Sequence, residues 1–289
     1  MVAIVAPAGP VDEADLAEGL GRLGARYSLR TDARLRARTG HLAGTDSDRA
    51  AALQEAISAP DVRAVVVARG GYGTMRVIDR IDLAPLDLHP KVVVGSSDLT
   101  VLGCALARAG RSSIHGPMVE TIGRATDPAI FDRLVRLLED PSPPDDSDLA
   151  LEVVRPGRAE GPILGGNLSL LAALAGSATL PSWQGAILFI EDVGERPYRI
   201  DRMLTQLLRA GALDGLAGVL VGDLTDCNPR DESPGPLEVV AERLSPLGVP
   251  ILAGYPAGHG GRFLAFPHGA RAEIDGGRGR VRWLEGAVK

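Results

Sequence analysis

The ten residues Lys91-Val-Val-Val-Gly-Ser-Ser-Asp-Leu-Thr100 constrain this chain more than any other stretch. Consecutive valines read as a strand buried on both faces, the pattern of a parallel sheet covered by helices. The strand stops at Gly95 and an amphipathic segment resumes at Asp98, so the two serines lie on a sharp strand-to-helix turn. A serine at such a turn is held out of the sheet, beside the free amides of a helix N-terminus. That is how a nucleophile is presented where developing negative charge must be stabilised. On position alone Ser97 serves equally well as a helix cap, and Ser96 competes for either role. Leu99 stands where a G-x-S-x-G elbow needs glycine, so the usual esterase turn is absent.

The flanking pattern extends the same theme. Apolar runs over 2–6, 62–68, 91–94 and 113–115 alternate with helical periodicities from about Asp12, with Leu16, Leu20 and Leu23 on one face, over 46–59, and from Asp98 to about Gly110. Strands and helices alternating at this spacing imply an α/β fold with a mainly parallel, doubly wound N-terminal sheet domain. Sites in such sheets lie at the carboxyl ends of the strands, where both Arg69-Gly-Gly-Tyr-Gly73 and Ser97 fall. The segment Asp140-Pro-Ser-Pro-Pro-Asp-Asp-Ser-Asp148 can neither continue a helix nor bury a face. It sets the expected organisation: residues 1–140 as the nucleophile domain, 141–160 as a linker, and 161–289 as a smaller mixed α/β domain. In that second part Asn167 is a helix N-cap, 186–190 a strand, about 200–210 a helix, 218–221 a strand, 236–244 a helix and 250–253 a strand. The runs over 262–266, 272–274 and 280–284 read as antiparallel strands.

With a net charge of −6 and no Lys/Arg run, the chain is not built for a nucleic acid or an anionic membrane surface. No apolar run approaches the roughly 18–20 residues needed to span a bilayer. The N-terminus lacks a basic leader and goes directly into a strand, so a cytoplasmic location is expected. Two cysteines, Cys104 in a helix and Cys227 in a loop, form neither a disulfide framework nor a zinc site. A Cys104-based amidotransferase is likewise disfavoured, because the residue lies mid-helix away from any elbow. No His/Asp/Glu cluster has ligand spacing, so no metal or cofactor is expected.

Four groups can carry chemistry. Ser97 is the first. His259 sits between Gly258 and Gly260, a loop that can bring an imidazole to another element as a general base. His115, at a strand end, is a second histidine candidate that more readily lines the cleft, and His268 in Pro-His-Gly reads as a turn residue. Glu191 follows an apolar strand, where an unpaired carboxylate is costly. Orienting an imidazole would satisfy it, as would an ion pair with Arg196, Arg199 or Arg202, and Asp192 and Glu195 are alternatives. The glycine-rich segment Gly70-Gly-Tyr-Gly73 lacks the features of a nucleotide loop. Its amides can complete an oxyanion hole with that of Asp98, or simply form a tight turn.

The ordered set of motifs resembles the LD-carboxypeptidases (muramoyltetrapeptide carboxypeptidases). The set comprises Gly40-His-Leu-Ala-Gly-Thr-Asp46 with Arg49, Ala68-Arg-Gly-Gly-Tyr-Gly73, Gly95-Ser-Ser-Asp-Leu-Thr100, Ile114-His-Gly-Pro117 and Gly165-Gly-Asn-Leu-Ser169. It continues with Leu188-Phe-Ile-Glu-Asp-Val193, Tyr198-Arg-Ile-Asp-Arg-Met-Leu204 and Gly258-His-Gly260. The resemblance implies a serine peptidase with Ser97, Glu191 and His259 as its triad and the amides of Asp98 and Gly71 as oxyanion donors. Arg69, Tyr72 and His115 are then expected to line the substrate site. It also implies a homodimer without cofactor that releases D-alanine from a murein tetrapeptide in cell-wall recycling. One departure is Ser96, where the family usually has an aromatic residue. A branch of the same family resembles microcin C immunity peptidases, which act on aminoacyl-nucleotide analogues. Such sites stack a base on aromatics, for which Tyr72 and Trp183 are the only obvious candidates here.

Overall fold

In the computed structural model, which describes residues 1–288, apolar strands and amphipathic helices alternate along the first half. The order is β1 (Val2–Val5), α1 (Glu13–Gly24), β2 (Leu29–Arg30), α2 (Asp46–Ser58), β3 (Ala64–Val67), α3 (Pro85–Leu88) and β4 (Val92–Gly95). Then come α4 (Thr100–Arg108), β5 (Ser113–His115), α5 (Val119–Arg124) and α6 (Pro128–Glu139). The second half runs β6 (Glu152–Arg155), β7 (Arg158–Asn167), α7 (Leu168–Ala173), β8 (Ile187–Val193), α8 (Pro197–Arg209) and β9 (Gly218–Thr225). It closes with α9 (Pro236–Leu244), β10 (Ile251–Ala253), β11 (Phe266–His268), β12 (Arg271–Asp275) and β13 (Arg280–Trp283).

Helix starts follow their caps. Asp12 accepts the amides of Ala14 and Asp15 at α1, and Asn167 accepts that of Leu170 at α7. Proline at the first position opens α6, α8 and α9, where its missing N–H costs nothing.

The first sheet has the order β11-β5-β4-β3-β1-β2, and the second β13-β12-β7-β8-β9-β10-β6. Strands β2, β1, β3, β4 and β5 are parallel, as are β7, β8, β9 and β10. Antiparallel strands extend these parallel sets: β11 forms one edge of the first sheet, and β6 one edge and the β12–β13 pair the other edge of the second. One apolar cluster joins the halves, running from Val65 and Val93 through Leu99, Leu102 and Leu106 to Leu164, Leu168 and Leu188. The carboxyl ends of β3 and β4 thereby face those of β7, β8 and β9 across a shared seam.

The structure departs from the sequence expectations in four places. The stretch 141–160 is partly strand: Val153 and Val154 lie in β6, which pairs with β10. Glu191 lies inside β8 rather than beyond it. The strand expected over 262–266 begins only at Phe266, because the Leu264 amide bonds the Pro256 carbonyl at 2.7 Å and keeps the preceding residues in a loop. His268 is no turn residue: it ends β11, is buried, and bonds both sheets through its two ring nitrogens.

Candidate active site

Strand β4 delivers Ser97 into a 3-10 turn, Ser97–Leu99, that leads into α4. Ser97 has φ 57°, a left-handed conformation that an L-residue with a side chain adopts at a cost of about 1–3 kcal/mol. Gly95 makes the turn possible, since a Cβ there would lie 2.2 Å from Leu99 Cδ2. Ser96 is buried, and its side chain does not cap the following helix.

The imidazole arrives from the other half of the chain. His259 Nε2 lies 3.2 Å from Ser97 Oγ, and Nδ1 lies 2.7 Å from Glu191 Oε2. A carboxylate accepts, so Nδ1–H donates to Glu191 and the Nε2 lone pair is left for the serine hydroxyl. Gly258 has φ +144°, and a Cβ there would lie 2.9 Å from Glu191 Oε2, so only glycine lets this loop close over the carboxylate.

Burial works against the charged imidazole, but the hydrogen bond and charge of Glu191, aided by Asp192 and Asp223, outweigh it and hold His259 above its ordinary pKa. Glu191 is fully buried, and that burial pushes its own carboxyl upward against the opposing pull of His259. The other acids suggested by the sequence are engaged elsewhere. Asp192 accepts from Asn167 Nδ2 and from the amide and hydroxyl of Ser169. Glu195 pairs with Arg199, Arg196 pairs with Glu232, and Arg196, Arg199 and Arg202 surround the Tyr198 ring.

The loop after β3 packs on the serine: a Cβ on Gly70 would lie 3.0 Å from Ser97 Oγ. The Gly70 carbonyl accepts the Gly9 amide at 2.9 Å, and a planar trans peptide then turns the Gly71 N–H away from Gly9. Neither the Gly71 nor the Asp98 amide donates to another group among the described residues. Unengaged backbone amides are the kind of donor from which an oxyanion hole is built.

Among the expected substrate residues, Arg69 is part-exposed, donates to the Pro10 carbonyl and lies 3.6 Å from the buried Glu120. Tyr72 is exposed at the rim, its ring 5.8 Å from that of His41. His115 corrects the sequence reading. It is buried, stacked on Phe263 and Phe266 and edge-on to Phe189, and burial lowers its pKa to about 3. It is a neutral core ring beneath the turn and presents no surface for a substrate. Trp183 is likewise a core residue, 1 % exposed, so it offers no face to a nucleobase.

Sequence reasoning missed Gly9 and Asp223, and quoted Arg49 within a motif without giving it a role. Asp223 Oδ2 accepts the Gly260 amide at 3.1 Å and so steadies the His259 loop. Buried Arg49 donates to the carbonyls of Pro7 and Gly73. The only sequence signal for these contacts was the glycine and proline content of the loops they hold.

This two-sheet frame brings a serine, a histidine and a glutamate together from both halves of the chain. Residues 2–116 match the LD-carboxypeptidase N-terminal domain and residues 160–274 the LD-carboxypeptidase C-terminal domain, and the chain belongs to the LD-carboxypeptidase family. It is 35% identical over 295 residues to the murein tetrapeptide carboxypeptidase of Pseudomonas aeruginosa, covering 98% of this chain and 94% of the relative. The crystal structure of muramoyltetrapeptide carboxypeptidase from Oxalobacter formigenes superposes with a TM-score of 0.86 at 32% identity, over 99% of this chain and 100% of that one. The microcin C7 self-immunity protein MccF of Escherichia coli is 26% identical over 265 residues, covering 80% of this chain and 76% of the relative.

Proposed function

We propose that this chain is a serine LD-carboxypeptidase that cleaves the bond to the terminal D-alanine of a murein tetrapeptide, with Ser97, His259 and Glu191 as its catalytic residues. Ser97 Oγ attacks the carbonyl carbon while His259 Nε2 takes its proton. The tetrahedral oxyanion is held by the amides of Asp98 and Gly71, each worth on the order of 10²–10³ in rate. Collapse of this intermediate breaks the C–N bond, and His259 returns the proton to the departing amine of D-alanine. Water, deprotonated by His259, then attacks the acyl-enzyme, frees the tripeptide and restores Ser97. Glu191 keeps the imidazole in the required tautomer throughout.

The observation that carries the reading is the hydrogen-bonded line Ser97–His259–Glu191, at 3.2 and 2.7 Å. The substrate rests on the printed names of the two murein carboxypeptidases similar over nearly the full chain. In this reading residues 1–140 form the nucleophile domain and 161–289 the domain that brings acid and base. Arg69 meets the substrate's terminal carboxylate, and Tyr72 forms part of the cleft rim. The enzyme is taken to be a cytoplasmic homodimer that uses neither cofactor nor nucleic acid. No helix among the described residues is long and apolar enough to cross a membrane. An aminoacyl-nucleotide substrate of the immunity-protein kind ranks second, because the burial of Trp183 leaves Tyr72 as the sole exposed aromatic of the two expected to stack a base.

The test is release of D-alanine from a murein tetrapeptide by the wild type and by Ser97→Ala. The wild type is expected to release it and the variant to lose the activity. An inactive wild type removes the substrate assignment, and a fully active variant removes the mechanism.

A further inference from the structure

The two amides assigned to the oxyanion belong to separate loops, and something must set the distance between them. The Asp98 side chain spans that gap. It is fully buried, 0 % exposed, at the start of the nucleophile helix. Oδ2 accepts the Thr74 amide at 2.8 Å, while Oδ1 has no hydrogen-bond partner among the described residues.

The same loop is gripped from its other side by Arg49. Its guanidinium is buried and donates to the Gly73 carbonyl at 2.8 Å and to the Pro7 carbonyl. Gly73 has φ +140°, and a Cβ there would lie 2.6 Å from Arg49 Nη1, so the loop runs against the guanidinium with no room for a side chain. Burying a carboxylate is costly, and burial indeed pushes Asp98 above the ordinary aspartate range despite the opposing charge of Arg49. An exposed serine or asparagine would cap the helix without that penalty. What the buried carboxylate adds is a direct tie from the nucleophile turn to the glycine loop.

We propose that the Asp98 carboxylate is a positioning residue for the oxyanion hole: the residue donates one oxyanion amide itself and, through Thr74, fixes the loop that donates the other from Gly71. This rests on the reading of Ser97 as nucleophile. A preorganised donor pair acts on the transition state and not on the bound peptide, so the side chain governs kcat and leaves KM nearly alone.

The experiment compares Asp98→Ala, Asp98→Asn and Ser97→Ala with the wild type, by steady-state D-alanine release and by the rate at which a fluorophosphonate labels Ser97. Asp98→Ala is expected to lose about 10- to 100-fold in kcat, with KM within about twofold and labelling slowed in parallel. Asp98→Asn keeps an oxygen that can accept the Thr74 N–H and is expected to recover most of the loss. If Asp98→Ala fails to fold by circular dichroism, Asp98→Glu takes its place. It keeps the charge but displaces the carboxylate by one methylene, and a kcat loss of about tenfold at unchanged KM is expected. The proposal is overturned if the Asp98 variant tested keeps wild-type kcat, if its loss falls on KM alone, or if Asp98→Asn is as impaired as Asp98→Ala. Activity persisting in Ser97→Ala would overturn the nucleophile assignment, a result readable apart from any effect at Asp98.

Discussion

Thr100 and Asn167 join the two halves of the site: Thr100 Oγ1, on the first turn of the helix behind Ser97, accepts the Asn167 backbone amide at 2.9 Å. Asn167 is in register with Glu191 across β7 and β8. This one bond therefore links the helix behind Ser97 to the strand pair that holds the acid. Thr100→Val keeps the shape but leaves a buried amide unpaired, at a cost of about 1–3 kcal/mol. Chemical denaturation is expected to show that loss, with a fall in kcat/KM beside it. Gly166→Ala should be worse, since φ is +143° and its Cβ would lie 2.3 Å from Thr100 Oγ1.

The pH profile reports on His259. Only the neutral imidazole can accept the serine proton, so activity falls as pH drops through the His259 pKa. Glu191 and its neighbours hold that pKa above 6.5, and the acid limb of kcat/KM is expected to have its midpoint above that value. In Glu191→Gln the supporting charge is gone and burial dominates. The midpoint should then move to lower pH while the plateau falls by about 10⁴, as for loss of a triad carboxylate. A midpoint that did not move would show that the Glu191 charge does not set the His259 pKa.

Two further histidines govern acid stability instead. His268 is pushed down to about 4 and His115 to about 3, both by burial first. Each is neutral when folded but protonates near its ordinary value of 6.5 when unfolded. Their stabilising contribution is complete above pH 6.5 and is lost as pH falls toward about 4 and 3. Thermal melts over that interval should show Tm declining with pH in the wild type. His268→Gln should melt lower at neutral pH and decline less steeply.

Gly9 is expected to be intolerant of any side chain. A Cβ there would lie 2.8 Å from the Gly70 carbonyl oxygen that its own amide binds. Gly9→Ala should therefore rotate the Gly70–Gly71 peptide and lower kcat by about tenfold or more with little change in melting temperature. Equal kcat in variant and wild type would place the Gly71 amide outside the reaction.

Periodicity made the alternating strands and helices legible because burial on two faces leaves continuous apolar runs such as Val92–Val94. The serine turn and the glycine-flanked His259 were visible for a related reason: local backbone demands leave local residue signatures. Long-range partners left none. Nothing near Asp223 announces that it bonds Gly260, 37 residues away. Nor does Pro267-His268-Gly269 reveal that its ring bridges Ser113 and the Gly165 amide. His115 misled because a histidine at a strand's carboxyl end reads as a cleft residue, whereas the phenylalanines that enclose it come from β8 and from residues 263–266.

Strand β11 has a consequence for the order of assembly. It pairs with β5 and so completes the first sheet with residues 266–268, near the far end of the chain. A ribosome that has released only the first half has made the serine turn but left the β5 edge unpaired, a surface open to association with other chains. The sheet that carries Ser97 is closed by the same late segment that follows His259, so synthesis reaches a sealed edge and the proposed base almost together. Cutting the chain between the halves should accordingly yield two pieces that are soluble and active only when expressed side by side.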